Sequence, residues 1–109
     1  MSKVKTGHAH LRKLVTIVTE TALESVLTRD IERLGARGYT ITDARGKGSG
    51  GVRSAGWEAS SNIRIEVICE TGTALAIVDY LTAQYYDDFN MIIFTADVEI
   101  LRPEKFSDK

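Results

Sequence analysis

The chain has 109 residues, a net charge of -1, 43% hydrophobic residues and 27% charged residues. That balance is ordinary for a soluble globular domain and gives no basic surface of the kind nucleic-acid binding needs. There is no apolar run of membrane-span length and no signal-peptide pattern, and the single cysteine, Cys69, excludes an internal disulfide. One cytoplasmic domain over residues 1–109 is the expectation.

In chain order, residues 1–10 are polar and without period and are expected to form a flexible tail. His8 and His10 lie there without an acidic or cysteine partner, so a frayed tail is favoured over a metal site. Residues 11–19 contain the β-branched run Leu14-Val-Thr-Ile-Val-Thr and predict a strand. Residues 20–34 switch to a helical period, with Leu23, Val26, Leu27, Ile31 and Leu34 on one stripe. Thr19 or Thr21 is the expected N-cap and Gly35 the expected C′ glycine.

Residues 38–45 predict a second strand, with Tyr39 and Ile41 alternating against Thr40 and Thr42. In the third strand, 62–69, Ile63, Ile65, Val67 and Cys69 face one way, Arg64 and Glu66 the other. Residues 71–86 predict a helix with Ala74, Ile77, Val78, Leu81 and Tyr85 on one face. Residues 90–101 predict the last strand, in which Ile92, Phe94, Ala96, Val98 and Ile100 alternate with Met91, Ile93, Thr95, Asp97 and Glu99. Pro103 ends it, and residues 103–109 are expected to be a second flexible tail.

The order β-α-β-β-α-β is that of an α+β, ferredoxin-like fold. Two helices cover one face of a four-stranded sheet. The other face is expected to carry apolar groups together with Asp97 and Glu99, and a second subunit is expected to cover it.

Between the second and third strands, Arg45-Gly-Lys-Gly-Ser-Gly-Gly-Val-Arg-Ser-Ala-Gly56 combines five glycines with three cations. Glycine permits close backbone approach, successive N–H groups in such a loop make an anion-binding concavity, and cations suit phosphate. The alternative is a solvated connection without a role. Gly46-Lys-Gly48-Ser-Gly-Gly51 matches G-x-G-x-x-G, but no helix follows directly, as dinucleotide binding requires. A phosphate loop of the Gly-Lys-Ser/Thr type also fails, because Gly48 follows Lys47.

No catalytic set emerges. Cys69 reads as an inert core thiol, and the Asp87-Asp88 pair as a solvated turn. Trp57, in the loop, is either a partner anchor or folds back on its own subunit.

With this element order and a long glycine-rich loop, the chain resembles the PII signalling proteins. Gly35-Ala-x-Gly-Tyr-Thr40, Gly46-Lys-Gly-Ser49, Val52-Arg-Ser54 with Gly56, and Ile92-Ile93 are similar to the PII-like SbtB and carboxysome-associated branch. The matches run in order over residues 11–102. Residues 45–61 take the place of the T-loop and Tyr85-Tyr-Asp-Asp-Phe-Asn90 that of the B-loop.

The chain departs from ordinary PII in three ways. It lacks the tyrosine-bearing T-loop used for uridylylation, has Asn90-Met91 where Gly-x-Gly-Lys is usual, and has Gly50 in place of the glutamine used for magnesium, ATP and 2-oxoglutarate. These changes speak against 2-oxoglutarate sensing and favour AMP, ADP or cyclic AMP over ATP.

The resemblance implies a homotrimeric, non-enzymatic sensor with no cofactor or metal and an adenine nucleotide as regulatory ligand in intersubunit clefts. By position, Tyr39 and Thr40 would face the adenine. Gly46, Lys47, Gly48 and Ser49 would wrap ribose and phosphate. Glu66 would contact the purine, and Phe89, Asn90, Met91 and Arg102 would come from the neighbouring end of the cleft. Arg53 and Trp57, within a partner-facing segment 50–61, would meet a bicarbonate transporter or another inorganic-carbon protein, with bicarbonate itself a further candidate ligand. The rival classes are a small oligomeric enzyme acting on a nucleotide and a ligand-free interaction module.

Overall fold

The computed structural model describes residues 10–46 and 61–106, and the expectations placed on residues 1–9, 47–60 and 107–109 lie outside them. Four strands, β1 (Leu11–Glu20), β2 (Thr40–Ala44), β3 (Asn62–Cys69) and β4 (Ile92–Glu99), form one antiparallel sheet in the order β2-β3-β1-β4. Helices α1 (Glu24–Arg33) and α2 (Thr71–Tyr85) follow β1 and β3. This is the expected ferredoxin-like α+β arrangement.

The core lies between the helices and one face of the sheet. Val15 and Ile17 of β1 and Ile63, Ile65, Val67 and Cys69 of β3 pack with Leu27 and Ile31 of α1 and Ala74, Ile77 and Leu81 of α2. Burying each large side chain contributes about 1.5–3 kcal/mol. The central pair β1 and β3 supplies the fully buried positions, whereas the edge strands are largely exposed.

Helix α1 starts later than its apolar period suggests. β1 runs on to Glu20, which pairs with Asn62, so Thr19 is a strand residue with its hydroxyl buried. A 3-10 turn, Thr21–Leu23, then leads into the helix, and neither it nor α1 has a side-chain cap. The expected Thr19 or Thr21 cap is therefore absent; the Thr21 N–H instead donates to Ser61 O at 2.7 Å.

The other end of α1 is as expected. Gly35 has φ +117°, its N–H donates to Glu32 O at 3.1 Å, and the Ala36 N–H reaches Ile31 O at 3.0 Å. These are the paired bonds of a Schellman motif, which needs a residue with positive φ. The C-terminal segment, expected to be a flexible tail, forms a short 3-10 helix over Pro103–Phe106.

The two helices are joined by a polar contact. Tyr85 on α2 donates its hydroxyl proton to Asp30 Oδ2 on α1 at 2.7 Å. Arg33 reaches Asp30 Oδ1 at 3.5 Å and stacks over Tyr80, 4.6 Å from the ring centroid. Burial first, then the bond to Asp30, raises the Tyr85 pKa from 10.0 to about 12. A pKa raised on folding contributes stability that is intact below pH 10 and is lost as pH rises towards 12. A spectroscopic tyrosinate titration should show a late phase near pH 12. Tyr85→Phe should abolish that phase; a late phase that survives the substitution assigns it to another tyrosine.

Candidate functional site

Two of the sequence-derived candidates, Thr40 and Glu66, lie on the helix-free face of the sheet. Alternation places Leu14, Thr16 and Val18 of β1, Arg64, Glu66 and Ile68 of β3, Thr40 and Thr42 of β2, and Ile92, Phe94, Ala96 and Val98 of β4 on that face. The register orders them in rows. One row runs Thr40, Glu66, Thr16, Phe94, and the next Thr42, Arg64, Val18, Ile92.

On this open face Ile92 is 55% and Phe94 46% exposed. Asp97 and Glu99 do not lie there, contrary to expectation. Asp97 pairs with Lys13 across the helix-side face, Nζ to Oδ1 2.6 Å. The open face thus lacks Asp97 and Glu99, and among the described strand residues its charges are Arg12 and Glu20 on β1 and Arg64 and Glu66 on β3.

The two charges on β3 are partners. Arg64 Nε donates to Glu66 Oε2 at 3.3 Å along β3, with side chains 45% and 37% exposed. Such an exposed pair contributes little stability, about 0–1 kcal/mol, so Glu66 is available to another donor. Beside it, the Thr16 hydroxyl is fully buried and has no hydrogen-bond partner among the described residues.

The two feet of the glycine-rich loop stand together. β2 and β3 are antiparallel neighbours, with Ala44 opposite Asn62, so Arg45 and Gly46 on one side and Ser61 on the other leave the same end of the sheet. Gly46 is exposed, and a Cβ placed on it would meet nothing within 4 Å. Lys47, Gly48, Ser49, Arg53 and Trp57 lie outside the described residues.

The segment before β4 reaches that same end, because Ile92 pairs with Val18 near the end of β1. It is a folded turn. The N–H groups of Asp88 and Phe89 donate to Tyr85 O at 3.2 and 3.0 Å, and the Ile93 N–H donates to the Tyr86 hydroxyl at 3.2 Å. Phe89 meets Tyr85 with tilted rings, centroids 6.0 Å apart, and packs against the core, and Met91 is 7% exposed. Their side chains serve packing, so of this turn only Asn90 and the backbone stay candidates for ligand contact.

Arg102 stands elsewhere. It follows the far end of β4, where Glu99 pairs with Leu11, and it is exposed. An eight-residue strand separates it from Met91 by roughly 25 Å, and β4 is the sheet edge opposite β2. Thr40, also exposed, begins β2, and the exposed Tyr39 stands just before it. Within one chain the sequence-derived residues therefore fall into two groups. Thr40, Glu66, Gly46 and Asn90 flank one region of the open face and its loop end; Arg102 is remote from them.

Sequence reasoning passed over Thr16 and Arg64. Arg64 was legible as sharing a face with Glu66, but its ion pair was not. Thr16 stands between two buried apolar residues in sequence, and only the register reveals its place beside Glu66. Among the described residues no group of three His, Cys, Asp or Glu side chains is placed to hold a metal ion, and no helix is long and apolar enough to cross a membrane.

Comparison with known proteins places the chain in a family. The sequence model of the family nitrogen regulatory protein P-II matches residues 12–105. The solved structure of a PII-like signaling protein from Thermus thermophilus, TTHA0516, is 45% identical. The match covers 88% of this chain and 95% of that one, with a TM-score of 0.75. CPII from Thiomonas intermedia, a nitrogen regulatory PII-like protein solved bound to ADP, AMP and bicarbonate, is 25% identical over 89% of this chain and 94% of its own, with a TM-score of 0.76. A second CPII structure, bound to ADP and bicarbonate, gives the same identity and TM-score over 88% and 94%.

Proposed function

The chain belongs to the nitrogen regulatory protein P-II family, and from that premise we propose that it is a trimeric, non-enzymatic signal-transduction protein that binds AMP or ADP between its subunits. The observation that carries this reading is the division of the site. Thr40, Glu66 and the loop foot Gly46 stand on the β2 and β3 side of the open face, whereas Arg102 leaves the far end of the opposite edge strand. One chain cannot close a nucleotide pocket with both groups. A second copy packed on the apolar open face brings its own Arg102 to the first copy's half-site.

In that pocket Glu66 accepts from the base, Thr40 and Tyr39 border it, Asn90 and the backbone of its turn close one side, and Arg102 takes phosphate. The glycine-rich segment 46–49 supplies backbone N–H groups to the phosphates. The nucleotides bound by CPII support this ligand class, and the bicarbonate in the same structures makes bicarbonate a second candidate ligand here. The segment 50–61, with Arg53 and Trp57, is the output surface, and its partner is a cytoplasmic or membrane-embedded protein of inorganic-carbon metabolism, as the SbtB-like motifs suggest. Nucleotide and partner are coupled through the states of this loop, so each changes the affinity of the other by the same factor.

Calorimetric titration with AMP, ADP, ATP and cyclic AMP tests the ligand class, and absence of binding by all four removes the proposal. Arg102→Ala tests the pocket. Loss of one charge-assisted contact should weaken ADP binding by about 1.5–3 kcal/mol, one to two decades. Adenosine, which has no phosphate, should lose far less. Equal losses for ADP and adenosine would give Arg102 another role.

A further inference from the structure

We propose that Thr16 is a positioning residue for Glu66 and, through it, sets a preference for adenine over hypoxanthine. The inference rests on the nucleotide-binding reading above and adds to it a residue on the central strand. Thr16 is fully buried, yet its hydroxyl meets no hydrogen-bond partner among the described residues. A buried unsatisfied hydroxyl is destabilising, so a threonine where valine fits equally well calls for a use.

The register limits what that use is. On its own face Thr16 lies between Leu14 and Val18 along β1, opposite Phe94 on β4 and opposite Glu66 on β3. Directly opposite positions bring Cβ atoms to about 4.5–5.5 Å. At zero exposure no ligand reaches the hydroxyl directly. Glu66 is the polar side chain among these four neighbours and lies within reach of it once its carboxylate turns across the strand.

Glu66 therefore has two positions. In the structure it is held along the strand by Arg64 at 3.3 Å. Turned across the strand, one carboxylate oxygen accepts the Thr16 O–H. The other oxygen is then fixed towards the Thr40 side of the open face, where it accepts an N–H from the exocyclic amino group of adenine. Hypoxanthine presents a carbonyl at that place, and two acceptors cannot bond. The exposed ion pair with Arg64 is weak enough to be exchanged for this arrangement.

The test compares AMP with IMP by calorimetry on the parent protein, Thr16→Val and Thr16→Ser. Thr16→Val should lose about tenfold in AMP affinity and little in IMP affinity, so that discrimination falls. Thr16→Ser, which keeps the hydroxyl, should keep the parent ratio. In a Glu66→Gln background Thr16→Val should have no further effect on the ratio, a coupling that a packing role does not produce. The ligand-free melting temperature of Thr16→Val should not fall, since an unsatisfied hydroxyl is replaced by a methyl of like shape. Should Thr16→Val not fold, Thr16→Ala removes the same hydroxyl. If the variants bind AMP and IMP in the parent ratio, Thr16 is a packing residue and the inference fails alone. If the parent binds no nucleotide, the functional reading fails and takes this inference with it.

Discussion

Phe94→Asp is expected to turn the assembled protein into a monomer and to abolish nucleotide binding with it. Phe94 lies in the middle of β4 on the helix-free face, 46% exposed, with Ile92 and Ala96 beside it along the strand. Leu14, Val18 and Ile68 extend the same face across β1 and β3. An apolar sheet face of this extent is not left to water in a stable soluble protein. Removing the Phe94 ring forfeits about 1.5–3 kcal/mol of burial per copy, and a carboxylate trapped in the contact costs several kcal/mol more. Together these weaken association by more than about a thousandfold. The isolated fold should survive, because Phe94 contributes nothing to the core between sheet and helices. Light scattering and circular dichroism read the two effects separately. A variant that keeps the parent mass at micromolar concentration would show that this face is not the one subunits share.

The sequence made β3 plain and left β4 ambiguous, for a physical reason. In β3 one alternating set is wholly apolar and the other carries Asn62, Arg64 and Glu66, so the buried face is evident. In β4 both sets are apolar at one end: Ile92 and Phe94 alternate with Met91 and Ile93. Which set meets the helices depends on pairing with β1, a contact distant in sequence. Asp97 and Glu99 accordingly belong to the helix side although the alternation permitted either face. The cap of α1 failed for the same kind of reason. Local propensity favoured Thr19 or Thr21, but the pairing of Glu20 with Asn62 kept the strand going and moved the helix start to Glu24.

The candidate site was legible as a set of residue types and not as a place. Glycines and cations marked an anion-binding loop, and the family resemblance assigned Glu66 and Arg102. Neither indicated that Arg102 and the turn at 89–91 leave opposite ends of β4, the separation on which the proposed two-copy pocket rests. The packing of Phe89 and Met91 was equally hidden, since an apolar residue beside a strand reads alike as core or as ligand contact.

Gly35→Val should destabilise the fold by about 2–5 kcal/mol, a large share of the total stability of a chain this size. Two costs add. At φ +117° an L side chain is strained whatever space surrounds it. The Cβ itself would stand 3.3 Å from Thr73 Oγ1 and 3.5 Å from Thr73 Cγ2, and Thr73 is buried at the start of α2. Gly35→Ala meets the same strain with less crowding and should cost less than the valine. Gly38 supplies the contrast three residues on: it has no positive φ, and a Cβ there meets nothing within 4 Å. Gly38→Ala should therefore be neutral or stabilise by up to about 1 kcal/mol, through the unfolded chain alone. Denaturant titration of the three variants separates the cases. If Gly38→Ala proves as damaging as Gly35→Val, the cost lies in the segment as a whole and not in the left-handed residue that ends α1.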